Sequence, residues 1–130
     1  MKLLIVFILT LFCINAFSME EIDLKGAIKK MVDNELTVTL LYNPDLHNEK
    51  PLLKQLNFVS KAMEKEKVTF YKCNTMLYPQ YYARVPIMLV TYKGHVLFSA
   101  NDPAPSAHGL VTLFRMLNLK AKEMLKRKAY

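Results

Sequence analysis

Arg84-Val85-Pro86-Ile87-Met88-Leu89-Val90-Thr91-Tyr92-Lys93-Gly94 sets a proline at the mouth of a six-residue apolar run and a Lys-Gly pair at its end. Pro86 has no N–H to give to a sheet, so it suits the entry to a strand, and Ile87 to Tyr92 reads as that strand, buried on both faces. Lys93-Gly94 is a two-residue turn, and His95 to Phe98 follows it as a second run, so the segment predicts a β-hairpin.

Working toward the N-terminus, Val68 to Cys73 alternates Val68, Phe70 and Lys72 against Thr69, Tyr71 and Cys73, the pattern of another strand. Before it, Pro51 suits a first helical turn, and Leu52, Leu53, Leu56, Val59, Ala62 and Met63 recur as a core-facing helical stripe. Leu36 to Tyr42 is rich in β-branched and apolar residues and predicts a strand that ends at Asn43-Pro44-Asp45. Leu24, Ala27, Ile28, Met31 and Val32 predict an amphipathic helix with Lys25, Lys29 and Lys30 on its other face. A short helical turn is expected at Gln80 to Ala83. Toward the C-terminus, Pro103 and Pro105 mark a loop, and Ser106 is placed to cap a helix carrying Leu110, Val111, Phe114 and Leu117. Helix-length crossovers favour parallel strands early, and the two-residue turn forces an antiparallel pair at the end, so the chain predicts an α/β domain with a mixed sheet.

With its elements in this order, the chain from about Leu24 to Leu117 resembles a thioredoxin-fold domain. Val85-Pro86, the strand after it and the Lys93-Gly94 turn carry the likeness, and Val68 to Asn74 supplies a second match. The resemblance implies a thioredoxin-like mixed sheet with helices on both faces. It also implies a cis bond at Pro86, leaving neighbouring backbone groups free to pair with an extended peptide; the residues alone equally allow a trans proline opening a strand. The departures are larger. Where the family carries Cys-x-x-Cys, this chain has Asn43-Pro44-Asp45-Leu46-His47-Asn48-Glu49-Lys50, with no thiolate nucleophile. After the last strand it has Ser99-Ala100-Asn101-Asp102 where the family tends to have glycine. The chain therefore resembles the redox-inactive thioredoxin or protein disulfide isomerase-type domains.

At 130 residues, 52% hydrophobic and 22% charged, the composition is that of one folded globular domain. Lys2, the apolar run Leu3 to Phe12 and the small residues of Ala16-Phe17-Ser18 outline a signal peptide over residues 1–18, with a domain over 19–118 and a basic extension over 119–130. The apolar run is short for a membrane span and meets Asn15, Glu20, Glu21 and Asp23. No stable span is expected after cleavage. Cys13 follows bulky Phe12, which argues against a lipidated cysteine. Loss of the signal removes Cys13 and leaves Cys73, so no intramolecular disulfide is possible. Of the mature chain's +6 charge (17 Lys and Arg against 11 Asp and Glu), +4 falls between Leu119 and Tyr130.

Cys73 has two readings, a small buried apolar residue or a monothiol, and only Lys72 beside it in sequence would lower its pKa. His47, His95 and His108 share no helix-face spacing with one another or with Cys73, so no metal site and no cofactor are expected. Tyr78, Tyr81 and Tyr82 serve either as peptide anchors or as packing. The reading is a redox-inactive module that binds protein or peptide in the endoplasmic reticulum lumen or outside the cell, without catalysis and without nucleic acid. Its expected contact residues are Tyr42, Asn43, Asp45, His47, Arg84, Val85 and Pro86, near a loop at Asn101. Two alternatives stand beside it: a disulfide-exchange protein using Cys73, and a secreted protein that binds an anionic partner through its basic tail.

Overall fold

The computed structural model describes residues 19–78 and 85–128. The expected signal peptide, Arg84, Tyr81, Tyr82 and the helical turn expected at 80–83 lie outside the described residues. In chain order the elements are β1 (Glu20–Glu21), α1 (Leu24–Asp33), β2 (Leu36–Tyr42), a 3-10 turn (Pro44–Leu46), α2 (Lys50–Ala62), β3 (Val68–Asn74), β4 (Ile87–Tyr92), β5 (His95–Ala100) and α3 (Ala107–Lys128).

Each boundary has a local cause. Asp23 accepts a hydrogen bond from the Gly26 amide at 2.8 Å and starts α1. Pro51 sits in the first turn of α2. Ser106 Oγ accepts from the Gly109 amide at 3.2 Å at the head of α3. Lys93 and Gly94 take positive φ angles of 47° and 86°, the primed turn that matches the twist of a tight hairpin.

The sheet runs β1-β3-β2-β4-β5. β1 and β2 pair with β3 in parallel, β4 is antiparallel to β2, and β5 is antiparallel to β4. β2 is central, and all seven of its residues are buried. Its alternation separates two cores and does not separate core from solvent. Leu36, Val38 and Leu40 join Met88, Val90, Leu52, Leu56, Val59 and Phe114 under α2 and α3. Leu41 joins Ala27, Met31, Cys73 and Val85 under α1. Helices therefore cover both faces, and fully burying each large apolar side chain contributes about 1.5–3 kcal/mol.

Several elements depart from expectation. β1 is only two residues long and charged, so no periodicity marks it; it is held by its ladder to Tyr71 and Lys72 and by the Ile22 amide donating to the Lys72 carbonyl at 2.9 Å. Within α1 only Ala27 and Met31 are buried, while Ile28 and Val32 are about half exposed. Ala62, expected in the α2 stripe, is exposed. Most consequentially, α3 continues through the basic stretch to Lys128 and buries Ala121 against the domain.

Candidate functional site

The registers bring four connections to one end of the sheet. Tyr42 pairs with Asn74, Leu41 with Ile87 and Met88 with Ala100, so the segments after β2, β3 and β5 and the segment before β4 emerge side by side. Asn43 and Val85 continue adjacent strands into this end.

The loop after β2 is built by its own residues. Asn43 Oδ1 accepts from the Asp45 amide at 3.0 Å, and the Asn43 carbonyl accepts from the Leu46 amide at 3.1 Å, which closes the 3-10 turn. His47 then takes φ 54° and ψ 24°, the left-handed conformation that reverses the chain toward α2. The Glu49 carbonyl accepts from the Leu53 amide at 2.8 Å and opens the helix. Glu49 itself is 8% exposed, and its Oε2 is buried without a hydrogen-bond partner. Neighbouring segments are tied in. The Tyr42 carbonyl accepts from the Thr75 amide at 2.8 Å and from its hydroxyl at 3.0 Å, while the Tyr42 hydroxyl donates to the Glu21 carboxylate. The Val85–Pro86 bond is cis, and Asn101 Nδ2 donates to the Pro86 carbonyl at 3.1 Å.

The expected contact residues divide by exposure. Tyr42, Asn43 and Val85 are buried and hold the end of the sheet together; Asp45 and His47 are exposed, and Pro86 is half-buried. Leu46, between the two exposed residues, is 47% exposed and supplies the apolar surface of the loop. The sequence groups Glu49 with Asp45 and His47 as a solvated polar loop or a weak ion or peptide contact, and the structure buries it instead. It stands between Asn48 and Lys50 as one more polar loop residue, and nothing in that pattern signals its burial.

Cys73 is fully buried beneath α1, packed with Ala27, Met31, Leu41 and Val85. Burial pushes its thiol from the usual 9.0 up to about 11, and the nearby carboxylates of Asp23 and Glu21 push in the same direction. The sequence neighbour Lys72 does not govern the thiol, because the parallel pairing of β1 brings acids to it from fifty residues away in the chain. His47, His95 and His108 lie apart; His95 opens β5, and His108 sits edge-on to Phe58 with ring centroids 5.8 Å apart. Among the described residues, no three His, Cys, Asp or Glu side chains converge on a metal-sized site. No described helix is long and apolar enough to cross a membrane.

No known sequence family matches the chain, and neither does any curated protein. Solved structures do match. A mutant thioredoxin from Halobacterium salinarum NRC-1 is 13% identical with a TM-score of 0.58, over 78% of this chain and 92% of that one. Mitochondrial thioredoxin 3 from Saccharomyces cerevisiae in its oxidised form is 14% identical with a TM-score of 0.57, over 75% and 93%. Human ERp44 in its zinc-bound form is 12% identical with a TM-score of 0.63, over 78% of this chain but only 32% of that longer protein. At these identities the likeness is one of fold alone.

Proposed function

We propose that this chain, a thioredoxin-like fold in architecture, is a redox-inactive module that binds extended protein or peptide segments in the secretory pathway or outside the cell. The observation that carries the reading is the loop of residues 43–49. It follows β2, where the resemblance to thioredoxins implies a dithiol, contains no sulfur, and leaves Asp45, Leu46 and His47 exposed at the end of the sheet that Val85 and Pro86 also enter. Thiol exchange needs an accessible thiolate, and the buried, poorly ionised Cys73 is ill suited to it. Contact is what remains for this surface. Arg84 adds a cation beside Val85 in sequence, and pairing of an extended segment with the Val85 backbone is the expected mode of contact. The ERp44 likeness supports the secretory compartment.

The test is fluorescence anisotropy with reduced, carboxymethylated lactalbumin as an extended polypeptide, alongside an insulin-reduction assay. The domain is expected to bind the polypeptide. The double variant Leu46→Ser, His47→Gly should weaken binding about tenfold, the loss of one apolar anchor, with an unchanged urea midpoint, since glycine accepts the φ of 54°. Insulin reduction should not exceed the uncatalysed rate. Undiminished binding by the double variant overturns the placement, and insulin reduction abolished by Cys73→Ser overturns the redox-inactive reading.

A further inference from the structure

At the loop end of the sheet, one strand beyond β2, the exits of β1 and β3 leave a hollow of about 450 Å³, within the range of about 300–1,000 Å³ over which pockets take small organic groups. Asn74 stands opposite Tyr42 in the ladder, and the Ile22 amide donates to the Lys72 carbonyl at 2.9 Å, so the link from β1 to α1 and the segment after β3 form its walls. Ile22, Met76 and Leu77 make those walls apolar, and Leu77 is 85% exposed.

Glu21 and Asp23 line the same hollow and supply its charge. Glu21 Oε1 accepts from the Tyr42 hydroxyl, and Asp23 Oδ1 accepts from the Gly26 amide at 2.8 Å. Both carboxylates are thereby held in place, and each keeps a second oxygen for a ligand. Among the described residues neither has an ion-pair partner; Lys72, opposite Glu21 in the ladder, makes no pair with it. Their field reaches the sulfur of Cys73, where it adds to burial in raising the thiol. Two fixed acids beside apolar walls select a ligand that is cationic at its tip and aliphatic along its stem. A hard metal ion fits less well, because the apolar walls give it no oxygen and no third acid, His or Cys completes a site among the described residues.

We propose that this hollow receives an arginine or lysine side chain of the extended segment bound at the loop site, its stem along Ile22 and Leu77 and its charged head against Glu21 and Asp23. The inference rests on the peptide-binding reading and adds to it a preference for a basic residue. The hollow lies about 10 Å from β4, two strand spacings, which an extended chain crosses in about three residues.

The test uses the protein with fluorescein-labelled dodecapeptides of Gly, Ser and Leu that hold one central arginine or, in its place, citrulline, which keeps the shape of arginine and removes its charge. The arginine peptide should bind about tenfold more tightly, and the preference should shrink as salt rises. Glu21→Gln with Asp23→Asn should abolish the preference at an unchanged urea midpoint, since glutamine still accepts from Tyr42 and asparagine still caps α1. Leu77→Ser should weaken both peptides about threefold and leave the preference intact. Equal binding of the two peptides, with carboxymethylated lactalbumin still bound, overturns this inference and leaves the peptide-binding reading standing; no binding of any of the three overturns both. A preference that survives in the Glu21→Gln, Asp23→Asn variant also overturns the inference, because the charge is then read elsewhere.

Discussion

Cys73 illustrates how a residue's chemistry is set by what the fold packs around it. Its alternating strand context leaves its exposure open, and the structure places it under α1 with two carboxylates nearby. Native protein is therefore expected to label slowly with maleimide near neutral pH and at the full rate only once denatured; equal rates in both states would contradict the burial. The raised pKa also has a sign in stability. A thiol near 9.0 when unfolded and about 11 when folded favours the native state below about pH 9, and that contribution is lost as pH rises toward 11. Urea midpoints should fall over this window in the parent, and by less in Cys73→Ala. Gly94 makes a comparable point from the backbone: φ is 86°, and a Cβ there would lie 3.3 Å from Val32 Cγ2. Gly94→Ala should cost about 1 kcal/mol in a denaturation curve, through both strain and crowding.

At the scale of elements, α3 changes the meaning of the basic C-terminus. Read as sequence, Leu119 to Tyr130 is a basic extension that follows the domain. In the structure, the stretch to Lys128 is helix, Ala121 is buried, Leu125 packs on the main core, and the Lys122–Glu35 pair joins it to β2. Arg115 further anchors the helix, donating from Nε and from a terminal guanidinium nitrogen to the two carboxylate oxygens of Glu66 at 2.9 and 3.0 Å. Deleting residues 119–130 uncovers Tyr92 and Leu97 and should lower stability by about 2–3 kcal/mol, read as a drop in the urea midpoint. An unchanged midpoint would mean that the last turns contribute no packing. The helix was legible as far as Leu117 because Leu110, Val111, Phe114 and Leu117 keep the apolar period. Beyond it, Ala121 and Leu125 continue the period, but the surrounding lysines mask it.

Across the whole molecule, the two ends of the sheet are built differently. The end bearing Asp45, Leu46 and His47 is a loop surface built on the central strands, and at the far end Tyr92 and Leu97 of the hairpin pack beneath Ala121 and Leu125 of α3. The elements between them were largely readable from single residues: the Pro86 strand entry, the Lys93-Gly94 turn and the helical stripes each follow from local backbone sterics and periodicity, which the chain carries in its own order. The missing Cys-x-x-Cys was equally legible, since an absent thiol needs no structure to be seen. Only the tertiary structure decided that Tyr42, Asn43 and Val85 are buried while Asp45 and His47 face solvent, that Glu49 is enclosed, that burial first and then the carboxylates of Asp23 and Glu21 raise the Cys73 thiol, and that the basic terminus is a packed helix. Those outcomes depend on contacts between residues distant in sequence, and burial and electrostatics arise from who meets whom in space, a quantity that no local pattern encodes.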